Sequence, residues 1–260
     1  MNKIKYYIII VSLVIIICVV SPLSIVEGFT ENTIPLHIYQ TWETKNLPPK
    51  MKKCVEKLKK DNPEFSHFLF DDNDCLLFIR ENFDENVVNA YNRLIPGAYK
   101  ADLWRYCVLY INGGIYLDIK YCNVSGFKLK QMTDKEYFVK DISENGGGIY
   151  NAFLVCKAKN PKLKRCINQI AENVQNKYYG TTALDITGPM LMKNEFTESE
   201  INNLELTLGE KDCPTKTCIY WKNIPILSIY SEYREEQKEY NYRKNTKSYY
   251  DLWKDRNVYG

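Results

Sequence analysis

Histidine is the scarcest chemically versatile residue in this chain. His37 and His67 are the two among 260 positions, and their spacing is not that of metal ligands. The nine cysteines contain no Cys-x-x-Cys pair, which argues against a zinc site. Neither sign of charge dominates: 35 Lys+Arg against 32 Asp+Glu leave a net +3, too small a surplus to point to nucleic acid. There is no internal repeat and no linker long enough to set off a second domain. Residues 29–260 are therefore expected to form one domain around a single large core. Tyrosine is plentiful, with 21 copies, a reservoir for structural packing and for sugar-facing surfaces alike.

One long hydrophobic run is present. Lys3 and Lys5 precede residues 6–26, which carry no charge, and roughly 20 apolar residues suffice to cross a bilayer. Positive charge before the run, with Glu27 and Glu31 after it, predicts a single-pass type II signal anchor over residues 1–28. The following domain then lies in the endoplasmic reticulum or Golgi lumen or outside the cell. A cleaved signal peptide with an apolar core at 8–20 is the competing reading, and both place the domain in the secretory system. In an oxidising compartment Cys213 and Cys218, which flank a short loop containing Pro214, are the expected disulfide. Cys107 is expected as a core thiol. The sequon Asn123-Val124-Ser125 follows Asp118 so closely that a glycan would crowd any site there, so it is expected to stay unmodified.

The densest information lies in residues 99–120, YKADLWRYCVLYINGGIYLDIK. Leu103, Tyr106, Cys107, Tyr110 and Ile111 recur at helical spacing and predict a buried side. Asp102 and Arg105, three apart, become neighbours on one face of that helix. Asn112-Gly113-Gly114 predicts the helix stop, since glycine takes a left-handed cap cheaply. Residues 115–117 read as a short strand, and Asp118 stands where it emerges. Strand carboxyl ends are where open α/β sheets bind ligands; as an ordinary feature the same aspartate would cap a turn. Around this block strands are expected at 34–39, 65–70, 137–140 and 152–157, and helices at 49–60, after the 71–74 cap through 82, at 85–94 and at 161–177. Such alternation predicts an α/β sheet.

Asp102, Arg105, Gly113, Gly114, Tyr116 and Asp118 stand in the order Asp-x-x-Arg, then Gly-Gly-x-Tyr-x-Asp. In this the chain resembles glycosyltransferase family 32, the DXD sugar-binding group that includes initiating α-1,6-mannosyltransferases and inositol-phosphoceramide mannosyltransferases. Weaker matches at 34–42, at Asn151-Ala152-Phe153 and at Thr187-Gly188-Pro189 extend the similarity over roughly residues 34–253. The resemblance implies a GT-A fold, a Rossmann-like mixed sheet that binds a nucleotide sugar. It implies retaining transfer of a hexose of the mannose, glucose or galactose class to a glycan or glycolipid acceptor, assisted by a divalent cation, usually Mn2+. Carried onto this chain, Asp102 and Arg105 would bind the donor sugar and Asp118 the ribose or metal side, with Asn151 and Gly188 beside the donor. Trp42 would stack on the nucleobase or else pack in the core. Trp253, with Ser248, would close over the diphosphate; should Lys120 point away from the donor, Asp251 and Ser248 are the first candidates to join Asp118 on the metal. Asp71 and Asp72 are explained by helix capping, and the charge-dense stretch 232–247 reads as a solvated helix or mobile lid.

The chain departs from that pattern at its chemical centre. Where the family has a second aspartate, the sequence reads Asp118-Ile119-Lys120. Either Asp118 and other groups still hold a metal, or the Lys120 ammonium partly replaces it against the diphosphate, or turnover has been lost and a membrane-tethered sugar-binding protein remains.

Overall fold

The computed structural model describes residues 33–260 apart from 125 and 142–146. The apolar run at 6–26, the domain boundary at residue 28 and Ser125 of the sequon lie outside the described residues. Among the described residues no helix is long and apolar enough to cross a membrane.

Helix α4 (Gly97–Asn112) is the central element. The spacing of its apolar residues predicts one buried side, but burial is continuous from Asp102 to Leu109. Tyr110 and Ile111 are only half-buried. The difference arises because other elements surround the helix. It packs on strands β3 (Gly114–Leu117) and β6 (Ile149–Cys156) and on helices α2 (Asp72–Asn82), α3 (Glu85–Arg93) and α5 (Pro161–Gln175). Leu103, Trp104, Tyr106 and Cys107 thus join one large core on this side of the sheet.

The turn from α4 into β3 needs glycine at both positions. Gly113 has φ +64° and Gly114 φ +107°, values that β-carbon-bearing residues rarely adopt. A Cβ on Gly114 would lie 2.9 Å from the carbonyl oxygen of His37. The close approach is required because β3 pairs in parallel with β1 (His37–Thr41), whose other neighbour is β2 (Ser66–Phe70).

The sheet has nine strands in the order β2-β1-β3-β6-β5-β7-β8-β9-β4, with β4 at Tyr121–Asn123, β5 at Tyr137–Lys140, β7 at Leu206–Gly209, β8 at Cys218–Trp221 and β9 at Ile224–Ile229. It is mixed: β1, β2 and β3 run parallel, while β6 pairs antiparallel with β3. Ile38, Ile115, Leu117, Phe153 and Val155 form a second core on the opposite face. Helices α6 (Pro189–Lys193) and α7 (Glu198–Asn202) precede β7; α1 (Pro49–Asp61), α8 (Tyr233–Lys244) and α9 (Tyr249–Lys254) complete the described fold. Glu236 of α8 accepts the backbone N–H groups of Lys50 and Met51 at 2.9 and 3.0 Å. It thereby caps α1, whose own N-cap residue Pro48 supplies no side-chain bond.

The Cys213–Cys218 disulfide forms as expected, and a second one, Cys54–Cys122, joins α1 to β4. Cys75, Cys107, Cys156 and Cys166 are free and buried.

Candidate functional site

The register of β3 against β6 builds the site. Leu117 pairs with Phe153, and the N–H of Asp118 donates to the carbonyl of Ala152 at 2.8 Å. Asp118 therefore leaves the strand end beside Asn151, while α4 brings Asp102 and Arg105 up from beneath. Arg105 Nη2 lies 3.1 Å from Asp102 Oδ1, and Arg105 Nη1 lies 3.5 Å from Asp118 Oδ1. The guanidinium joins the two carboxylates. It also donates to the carbonyls of Asn151 and Ala101 and lies 4.4 Å from the centre of the Tyr116 ring.

Asp102 is almost wholly enclosed. Its Oδ1 accepts from Asn151 Nδ2 at 2.9 Å and its Oδ2 from the Thr187 hydroxyl at 2.7 Å. Burial pushes its carboxyl above the ordinary range, opposed by Arg105 and by these two donors. Asn151 Nδ2 also donates to the Tyr106 hydroxyl, which donates to the carbonyl of Thr187. Asn151 is thus a positioning side chain for Asp102. Gly188 fits the same close packing, since a Cβ there would meet Asp102 Oδ2 at 3.4 Å and the Leu184 carbonyl at 3.3 Å.

Asp118 and Lys120 lie at the open edge. Lys120 Nζ donates to Asp118 Oδ2 at 2.7 Å, the two side chains being 15% and 21% exposed. Tyr116, two residues before Asp118 and so on the same strand face, donates its hydroxyl to Asp118 Oδ1 at 2.8 Å. Burial alone would raise the Asp118 carboxyl, but Lys120 and Arg105 outweigh it and hold the group below its ordinary value. Burial likewise opposes charge on Lys120, and Asp118 overrides it, so the ammonium stays protonated.

Hard divalent cations seek several oxygen ligands at once, and the side chains here do not provide them. Both Asp118 oxygens are engaged, one by Lys120 and the other by Tyr116 and Arg105. Among the described residues no three His, Cys, Asp or Glu side chains converge on a common point. Asp251, the second expected ligand, is exposed in the first turn of α9, where its Oδ2 accepts from the Ser248 hydroxyl at 2.7 Å. The expected Mn2+ therefore does not fit this donor set.

The remaining candidates divide. Trp42 packs against a small cluster containing Met51, Ile119 and Tyr233, with Tyr240 of α8 at 5.4 Å between ring centres. Its indole nitrogen is buried without a partner among the described residues. Trp253 donates its indole N–H to the Tyr179 carbonyl at 2.7 Å, so this donor is committed away from any diphosphate. Asp71 is a helix cap, accepting from the N–H groups of Asn73 and Asp74. His67 shares a 2.7 Å bond with Gln40. Asn123 is buried and donates to the Phe127 carbonyl, a further reason for it to carry no glycan. Tyr116 was discoverable from period-two spacing. Tyr106, four residues after Asp102 on α4, was discoverable from helical spacing, whereas Tyr150 and Tyr233 had no comparable signal, because their approach depends on sheet register and on α8.

Comparison with known proteins matches this part of the chain to a family. Residues 48–139 match the family described as "Glycosyltransferase sugar-binding region containing DXD motif". The initiation-specific α-1,6-mannosyltransferase of Candida albicans is 32% identical over 91 residues, covering 33% of this chain and 24% of that one. Inositol phosphoceramide mannosyltransferase 3 of Schizosaccharomyces pombe is 27% identical over 165 residues, 61% of this chain and 44% of that one. The chain spans less than half the length of these two curated relatives. Among solved structures, the PaToxG glycosyltransferase superposes with a TM-score of 0.52 at 19% identity, over 65% of this chain and 73% of that one, so the two share the mixed α/β fold. Residues 48–139, which contain Asp102, Arg105, Asp118 and Lys120, are thus the part of the chain that matches a DXD-type glycosyltransferase sugar-binding region.

Proposed function

We propose that the chain is a retaining hexosyltransferase, moving mannose, glucose or galactose from a nucleotide-sugar donor to a glycan or glycolipid acceptor. The observation that carries this reading is the Asp102–Arg105–Asp118 charge chain, fixed beneath a strand end and opening to solvent at Asp118. Asp102 and Arg105 form the floor against the donor hexose, with Asn151, Thr187 and Gly188 fixing Asp102. Asp118 faces the ribose and diphosphate, and Trp42 stands on the nucleobase side. Pre-oriented charges of this kind stabilise the charge that develops as the diphosphate departs, without reorganising at the moment of reaction. Residues 1–28 are proposed to anchor the chain as a single-pass type II protein, with residues 29–260 in the secretory lumen or outside the cell.

The test is release of nucleoside diphosphate from GDP- and UDP-hexoses by the full chain. Asp118→Asn should keep the fold and cut turnover by orders of magnitude. A near-normal rate would remove Asp118 from the site. Binding of nucleotide sugar with no turnover from any donor would favour a sugar-binding protein instead.

A further inference from the structure

We infer that Lys120 is a catalytic residue, a chain-borne cation that supplies the positive charge which a divalent metal supplies to the donor diphosphate in two-carboxylate sites. This rests on the hexosyltransferase reading above and deepens it. The first observation is position. Lys120 stands where the motif's second carboxylate would be, and the backbone around it is fixed. The N–H of Tyr121 donates to the Asp118 carbonyl, and the N–H of Tyr230 to the Lys120 carbonyl, both at 3.0 Å. The ammonium therefore emerges at the same edge as Asp118.

The second observation is confinement. Lys120 Nζ lies 5.6, 5.8 and 5.9 Å from the ring centres of Tyr121, Tyr150 and Tyr233, within the range in which aromatic faces attract a cation. Two of these rings are held to each other by a 2.8 Å contact between the Tyr121 and Tyr150 hydroxyls. Tyr233 arrives from α8 and is buried. An ammonium has three donors, and among the described residues Asp118 accepts just one hydrogen bond from it. The other two are left for phosphate oxygens to accept, on a side chain that is 15% exposed.

The third observation is the donor set itself, in which both Asp118 oxygens are occupied by this chain's own groups. Lys120 holds the place that a metal would need. In the transfer step the bond between the hexose anomeric carbon and the β-phosphate oxygen breaks, and its electron pair stays on that oxygen. The protonated Lys120 donates a hydrogen bond to the diphosphate and keeps its proton. A new bond forms from the anomeric carbon to the acceptor hydroxyl, whose proton passes to solvent; with water as acceptor the same step is hydrolysis.

The experiment measures nucleoside diphosphate release by the full chain in excess chelator and in Mn2+, for wild type, K120A, K120R and K120D, with thermal unfolding as the check on folding. Wild type is expected to work at similar rates, within about threefold, in chelator and in Mn2+. K120A should lose on the order of 10- to 150-fold, the effect of one charge-assisted contact, mainly in kcat, with partial recovery in K120R. K120D should respond to Mn2+ where wild type does not, since two carboxylates facing a diphosphate need an intervening cation. Wild type active in Mn2+ but dead in chelator would overturn the inference while leaving the hexosyltransferase reading intact, as would a folded K120A of normal rate. The chelator comparison uses wild type alone and decides even where a variant fails to fold. No release from any hexose donor in either condition would overturn the underlying reading, and this inference with it.

Discussion

At the scale of single residues the site is a balance between burial and satisfaction. Burial pushes the Asp102 carboxyl upward, and Arg105, Asn151 and Thr187 all address it and oppose that push. A buried acceptor that loses a partner bears its desolvation uncompensated. Thr187→Val, nearly the same shape without the hydroxyl, should therefore destabilise the fold by about 1–3 kcal/mol in a denaturant titration. Thr187→Ser should restore most of it, and an unchanged midpoint for the valine variant would mean that water replaces the hydroxyl. The Asp102–Arg105 contact was legible because three-residue spacing on a helix is a geometric statement. Thr187 was visible only as part of a loop, since nothing local to either residue says that positions 85 apart will meet. Lys120 showed itself as a departure, yet its attachment to Asp118 needed the turn geometry.

At the scale of elements, β1 and β2 carry a titrating contact. His67 on β2 bonds the buried Gln40 of β1, and burial, aided by Lys59, lowers the His67 imidazole to about 4. Its folded pKa lies below the unfolded value near 6.5, so the unfolded chain takes up a proton that the native chain refuses. Stability from this pair is complete above about pH 6.5 and drains as pH falls toward 4, by at most about 3 kcal/mol. His67→Gln should flatten that part of the stability–pH curve, as read by urea midpoints between pH 4 and 7. An unaltered slope would place the titration elsewhere. The first half of the chain was the readable half. Helices α2 and α3 begin where Asp71 and Asp84 cap them, signals written within a few residues. Strands β8 and β9 lack clean alternation and exist because they pair with each other, which no local pattern announces.

At the scale of the molecule, the strand order separates what alternation implied from what was built. Alternating elements implied a sheet, and the resemblance implied a mixed one, but neither said that β4 would sit at the far edge beside β9. The Cys54–Cys122 disulfide reaches across this arrangement over a separation of 68 residues, far too long to be read from spacing. In the loop-entropy account such a bridge is worth about 4 kcal/mol, against about 2 for a loop as short as Cys213–Cys218. Replacing Cys54 and Cys122 together by alanine should consequently lower the denaturation midpoint of oxidised protein more than replacing Cys213 and Cys218. An inverted order would show that the unfolded chain is not what the longer bridge restrains. A last consequence follows from the run Asp102, Arg105, Asp118, Lys120. Two carboxylates and two cations, each in contact with the next, cancel one another, so the site projects little field beyond a Debye length of about 8 Å at physiological salt. The dianionic donor proposed above would not be drawn in from afar by such a site, as it would be by an open cluster of cations. It would be recognised on arrival, by short contacts exchanged for those already made.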